Sequence, residues 1–212
     1  MTSNLKTISL SALIMTALLF TSCNSKTDTQ PASESVPANS NAQQGAPIYE
    51  DIDSLRKGAE KGDAYAQEQL GLCYLDGMDV EMNVEEGVKW LRKAVEQGSV
   101  TAQYNLGTCY LEGTGVEIDK EEAVKLMTPA AEAGFPPAQA DLGICYMDGE
   151  GVPVDKEKGV KLIQQAAENG FPPAQCILGK IYIEGDGVTQ DKAKGEEWIR
   201  KAKDNGFVPA DN

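Results

Sequence analysis

The stretch AGFPPAQADLGICYMDGEGV (Ala133–Val152) returns thirty-six positions later as NGFPPAQCILGKIYIEGDGV (Asn169–Val188). In the first copy, Gly134 can take the left-handed conformation that ends a helix, and Pro136 and Pro137 suit the first turn of the next, where a missing N–H costs little. A helix is predicted from about Ala138 to Met147, broken by the loop DGEGV.

The same spacing runs through the chain from Asp51 onward. Ala-Gln pairs begin at Ala66, Ala102, Ala138 and Ala174, and Leu-Gly pairs at Leu70, Leu106, Leu142 and Leu178. Tyrosine recurs at Tyr74, Tyr110, Tyr146 and Tyr182, glycine at Gly77, Gly113, Gly149 and Gly185, alanine at Ala94, Ala130, Ala166 and Ala202, and glycine again at Gly98, Gly134, Gly170 and Gly206. A fixed period of this length marks stacked supersecondary units. Each unit reads as two helices, A and B. Helix B opens at an aspartate or asparagine, and Asn83/Glu86 and Asp119/Glu122 have capping-box spacing. In helix A, Leu142, Cys145 and Tyr146 form one apolar stripe; in helix B, Val124, Met127, Ala130 and Ala131 do so. Gly143 and Ala166 leave room for close backbone approach. One helix pair cannot bury its stripe alone, whereas stacked copies can.

The pattern A-Q-x-x-L-G-x-x-Y-x-x-G-x-G-V-x-x-D, with A-A-E-x-G near its end, resembles the Sel-one-like repeat (SLR), a relative of the tetratricopeptide repeat. The resemblance implies an all-α fold, an α-solenoid in the form of a right-handed superhelix of antiparallel helix pairs. Four units cover residues 63–98, 99–134, 135–170 and 171–206, after a half-unit at 51–62 and before a capping tail at 207–212, within a domain spanning 48–212. Met78-Asp79 replaces the usual glycine-containing turn in the first unit, so a different loop is expected there. Glu196 and Lys203 stand where earlier units have Val88, Val124 and Val160, and Val95, Ala131 and Ala167. A polar face of this kind is expected where no further repeat follows. Pro129, inside a helix B, is expected to kink or shorten it.

Ahead of the repeats, Lys6, an apolar run from Ile8 to Phe20, and small residues before Cys23 read as a secretory signal over residues 1–22, because thirteen residues are too few to span a bilayer. LFTSC resembles the lipobox of bacterial lipoproteins, which implies lipidation of Cys23; the alternative is a secreted, unanchored protein. Asn24 is not the aspartate of the inner-membrane retention scheme, so the resemblance implies an outer-membrane lipoprotein, with the leaflet open. Residues 23–47 are rich in Ser, Asn, Gln, Ala and Pro and read as a flexible tether, about 25–30 Å end to end.

The chain has 212 residues, no histidine and a net charge of −14; Lys6 is the only charged residue of the first 22, so their removal leaves −15. This excess repels phosphate backbones and speaks against nucleic acid and against a charge-driven contact with anionic lipid. The membrane is expected to be met through the lipid anchor only.

Residues with chemical potential have structural readings. Cys73, Cys109 and Cys145 recur one unit apart, farther than the roughly 7 Å between Cα atoms that a disulfide tolerates, and read as small buried hydrophobes. The cysteine-rich secreted branch of the family carries a second cysteine in helix B of each repeat, which this chain lacks. The acidic loops at Asp148–Asp155 and Glu184–Asp191 lack the ligand alternation of a calcium loop. Ser54 and Lys57 fit Ser-x-x-Lys, but no Ser-Asp-Asn or Lys-Thr-Gly accompanies them. Without histidine, and with carboxylates that mostly recur with the repeat, neither a catalytic set nor a cofactor or metal is indicated.

The surface remains. By analogy with tetratricopeptide stacks, helix A lines the concave side. Its inward positions are Leu72, Leu75 and Asp76; Thr108, Leu111 and Glu112; Ile144, Met147 and Asp148; and Lys180, Ile183 and Glu184, with Tyr65, Glu68 and Tyr104 nearer the helix starts. This describes an apolar floor with an acidic edge, suited to a protein or peptide with apolar anchors and basic flanks; the other reading is that part of the stripe is core. The resemblance implies a non-enzymatic adaptor. The rival is an envelope enzyme or inhibitor acting on cell-wall material or β-lactams, and a third possibility is a spacer or immune-exposed surface protein.

Overall fold

A computed structural model describes residues 49–207; the signal segment, Cys23, the whole of the tether and residues 208–212 lie outside the described residues. Among the described residues the chain is all helix. The elements are α1 (Ile52–Glu60), α2 (Ala64–Asp76), α3 (Val84–Glu96), α4 (Val100–Glu112), α5 (Lys120–Glu132), α6 (Pro136–Asp148), α7 (Lys156–Glu168), α8 (Pro172–Glu184) and α9 (Lys192–Asp204). Consecutive helices pack on each other in order, so the chain is an α-solenoid in which α2, α4, α6 and α8 are the A helices and α3, α5, α7 and α9 the B helices. The half-unit is α1. None of these helices is long and apolar enough to cross a membrane.

Sequence signals set the helix ends. Asn83, Asp119, Asp155 and Asp191 each accept the N–H three residues on, at 3.0, 2.9, 3.0 and 3.0 Å, which satisfies one orphan donor per helix. The reciprocal arm expected of Glu86 and Glu122 does not form. Their carboxylates turn to Lys89 and Lys125, 3.1 Å away in each case. A capping box closed in both directions is found at Asp51 and Ser54. The Pro-Pro pairs start α6 and α8 two residues earlier than the sequence suggests, at Pro136 and Pro172.

The loop in the first unit does not differ. Asp79 takes φ 56°, matching Gly115, Gly151 and Gly187 at 69°, 69° and 73°. Aspartate tolerates the left-handed region better than most side chains. Gly115 and Gly151 also leave no room for a side chain, since a Cβ on Gly115 would come within 2.5 Å of the Val84 carbonyl and one on Gly151 within 2.1 Å of that of Lys120. Pro129 does not shorten α5, which keeps the same thirteen residues as the other B helices. The proline lies on the exposed side of the helix, away from the packed stripe.

Within three of the four pairs the A and B helices cross glycine on glycine: Gly71 on Gly87, Gly143 on Gly159, and Gly179 on Gly195. A Cβ at any of the six would come within about 3 Å of the opposing carbonyl. The apolar stripes close around these crossings, and Leu70, Leu91, Met127, Ile163 and Leu178 lose essentially all contact with solvent. Each such burial contributes about 1.5–3 kcal/mol.

Polar bonds set one unit on the next. The glutamines of the Ala-Gln pairs are buried and donate to carbonyls in the last turn of the preceding helix: Gln67 to Ala59 (3.0 Å), Gln139 to Ala131 (3.2 Å) and Gln175 to Ala167 (3.1 Å). Gln67 and Gln175 in turn accept from Gln97 and Asn205. Farther along, Lys120 pairs with Glu150 (2.7 Å) and Lys156 with Asp186, tying helix B to the loop of the following unit. Glu150 and Asp186 of the calcium-like loops are thereby engaged, and Asp155 and Asp191 cap the helices that follow. The joint between the first and second units carries neither device: no glutamine bond forms at Gln103, and Val84 and Thr114 replace the ion pair. There Glu68 of α2 accepts from Ser99 Oγ and Thr101 Oγ1, at 2.6 Å in both cases, and reaches across to the start of α4.

Candidate functional site

The A helices form the more deeply buried layer. They bury six, six, ten and seven residues in turn, against five, five, five and two for the B helices. Adjacent A helices touch side by side, as the hydrogen bond from Tyr104 on α4 to Asp141 on α6 demonstrates.

The predicted wall residues divide into three groups. Leu72, Leu111, Ile144 and Ile183 are half-buried, but Ile183 packs against Gly195 of its own B helix and is corrected with the core group below. Asp76 and Glu112 are half-buried beside them, while Asp148, Glu184, Lys180 and Tyr65 are exposed. The third group is core and is corrected accordingly. Leu75, Met147 and Ile183 turn toward the B helix of their own unit, against Gly87, Gly159 and Gly195, because a glycine there leaves space for a long side chain. Tyr104 is buried and meets Phe135 edge-on, with ring centroids 5.3 Å apart. Thr108 is buried and donates to the Tyr104 carbonyl, and Glu68 is buried in its bonds to Ser99 and Thr101.

The layer holds one polar cluster that the sequence reading missed. Asp141 is 4% exposed and accepts a 2.9 Å hydrogen bond from the Tyr104 hydroxyl. Burial pushes its carboxyl up to about 7; the Tyr104 bond works against that rise, and the charge of Glu112 adds to it. The Tyr104 phenol is pushed well above its ordinary value, first by burial and then by Asp141. One oxygen of Glu112, Oε1, is buried without a hydrogen-bond partner. Asp76 and Asp148 are also raised, by burial first. The signal in the sequence is variation: position 141 is matched by Gln69, Asn105 and Ile177, between Ala-Gln and Leu-Gly pairs that do not change.

A second missed feature is a row of exposed apolar side chains, Met82 (64%), Ile118 (62%) and Val154 (59%), just before the helix B caps. Each lies over the glycine that ends its A helix, and Gln190 continues the row. Their shared period was the available signal.

The candidate catalytic groups have other employment. The Ser54 hydroxyl donates to the Asp51 carbonyl at 2.8 Å and closes the capping box of α1, with Lys57 exposed. Burial pushes the Cys109 and Cys145 thiols up to about 12, far from thiolate chemistry, and these two and Cys176 are free. Cys73 is half-buried. No group of three or more metal-ligating side chains converges among the described residues.

Comparison with known proteins agrees with this architecture. The Sel1 repeat family matches at residues 64–99, 100–135, 136–171 and 172–207, one residue beyond each unit read from the sequence. Among solved structures, the chain is similar to c5321, described as a protective antigen of uropathogenic Escherichia coli strains displaying an SLR fold. The two are 41% identical with a TM-score of 0.69, over 74% of this chain and 34% of that one. A Sel1 repeat protein from Oxalobacter formigenes is 36% identical with a TM-score of 0.68, over 74% of this chain and 64% of its own. The chain thus spans about a third of the first relative's length and somewhat under two thirds of the second's. No curated protein sequence matches. With four matched repeats covering well over half of its length, the chain belongs to the Sel1 repeat family.

Proposed function

We propose that this protein is a lipid-anchored, non-enzymatic adaptor of the bacterial envelope that holds another protein or a peptide against its A-helix layer. The observation that supports the reading is the set of half-buried Leu72, Leu111 and Ile144 on the A helices, followed in sequence by the acids Asp76, Glu112 and Asp148. Apolar side chains in a row at the open side of a solenoid offer anchoring contacts, and the acidic border selects basic flanks and speeds the encounter. Sel1 repeat solenoids commonly serve as protein-interaction scaffolds, and the place of Ser54 in the cap of α1 gives that serine a structural role.

In-cell crosslinking with mass spectrometry tests it. A partner captured by the wild type should be lost from Leu111→Arg and Ile144→Arg and kept by Lys89→Glu on the B-helix side. Retention by all three would remove the A-helix layer from consideration. Met147→Arg, although on the predicted wall, would test folding instead, because Met147 is buried.

The anchor and its location rest on the N-terminal sequence, and the antigen description of the Escherichia coli relative fits a place in the envelope. Cys23→Ala should move the protein from the membrane fraction to the soluble fraction. If it stays with the membrane, the lipobox reading fails. Protease treatment of intact cells then distinguishes an outward from a periplasmic orientation.

A further inference from the structure

One edge of the solenoid, where the A helices end and the B helices begin, carries two properties that fade together along the chain. The first is the row of Met82, Ile118 and Val154, each more than half exposed. Covering the glycine that ends helix A does not call for an apolar residue, because Gln190 does so in the fourth unit, where a Cβ on Gly185 would come within 3.0 Å of it. The second property is charge. The stretches 76–86, 112–122, 148–158 and 184–194 carry formal charges of −5, −4, −2 and −1, together −12 against −14 for the whole chain. Glu81 and Glu85 flank Met82, Glu117 and Glu121 flank Ile118, and Glu157 follows Val154, whereas Gln190 has Thr189 and Ala193 in these places. Where the apolar side chain is lost, its glutamates are lost with it. The five glutamates are exposed and enter no hydrogen bond or ion pair among the described residues. Uncommitted like charges repel, and exposed apolar side chains bury nothing, so neither property serves the fold.

The loops of successive units abut, since Gly115 lies against the Val84 carbonyl and Gly151 against that of Lys120, so the row follows one edge. Neighbouring A helices touch side by side, which spaces its members by roughly 8–10 Å. Two turns of an α-helix advance about 10.5 Å and return a side chain to the same side, whereas one face of an extended chain repeats every ~7 Å. The glutamates repel an anionic membrane surface and select a cationic partner. We propose that this edge docks a basic amphipathic helix of another protein, with apolar residues two turns apart on Met82, Ile118 and Val154 and its lysines or arginines beside the glutamates. This surface is separate from the A-helix layer and does not depend on the adaptor reading.

Phage displaying alanine-rich helices of about six turns, randomised along one face, test it with the full chain in detergent as bait. The wild type should return apolar residues two turns apart, next to lysine or arginine. A returned peptide should bind Met82→Gln/Ile118→Gln/Val154→Gln about tenfold more weakly than wild type, and Glu81→Gln/Glu85→Gln/Glu117→Gln/Glu121→Gln about fivefold more weakly. Leu111→Arg/Ile144→Arg, on the A-helix layer, should leave its affinity within about twofold. Gln190 fills the ridge position in the fourth unit, so glutamine fits this backbone, and circular dichroism with thermal melting checks that each variant is folded. Peptides lost from the Leu111→Arg/Ile144→Arg variant but kept by the glutamine triple variant overturn the ridge and support the adaptor reading. Returned peptides without the two-turn pattern overturn the ridge as well. So does self-association of the wild type that the triple variant abolishes, since the occupant is then a second copy.

Discussion

Asp141 is a buried carboxyl with one phenolic hydroxyl to accept from. Because its folded pKa, about 7, lies above the ordinary carboxylate value near 4, the folded state keeps a proton through an interval in which the unfolded chain has released it. Stability is therefore lost as pH rises from about 4 to about 7 and levels off above that. Asp141→Asn removes the titration and keeps a partner for Tyr104. Its melting temperature relative to wild type should be clearly higher at pH 8 and close to equal at pH 4.5, and an equal gap at both pH values would contradict the assignment. Counting along one helix does select Tyr104, Thr108 and Glu112, since a helical period brings them to one side. It does not reveal Asp141, because the bond that matters crosses 37 residues and two helices. Nor does it separate the open side of a helix from the side against its neighbour, which is why counting alone assigns Leu75 and Met147 to the wall.

Among the elements, the A–B pair is held by what its glycines lack. Gly143 was legible as a point of close approach, but its partner Gly159, sixteen residues on, reads in sequence only as a weak spot in helix B. The meaning of either glycine depends on the other. Gly143→Ala would drive a methyl group to within 2.6 Å of Ile163 and 2.8 Å of the Gly159 carbonyl. Overpacking of this kind costs about 1–3 kcal/mol, read as a lower urea midpoint with an unchanged slope. The second unit has Ala123 where the others have the second glycine, so Gly107→Ala should be no better tolerated. Helix starts, by contrast, were almost fully legible, because a cap is a local contract between residues three apart; the side arms of Glu86 and Glu122 escaped only because nearby lysines compete for them.

At the scale of the whole molecule, the period of 36 was sufficient to give the class of fold, since stacking is the one arrangement that buries every copy of the same stripe. The last described helix bears this out in its composition. α9 buries only Gly195 and Ala202, and Glu196 and Lys203 are exposed where earlier units hide valine and alanine. Glu196→Val with Lys203→Ala would restore an uncovered stacking face, and sedimentation should then detect self-association that grows with concentration, absent from the wild type. The joints between copies are not equal, however. Glutamine bonds and lysine–acid pairs hold the third unit to the second and the fourth to the third, whereas the first is tied to the second through buried Glu68 and the exposed bond from Arg92 to the Tyr110 hydroxyl. A rod with one differently riveted plate tears there. Stretched from its ends in an optical trap, the molecule should first release a piece ending near Gly98, and Glu68→Ala should lower the force at which that happens while leaving the later rupture events in place.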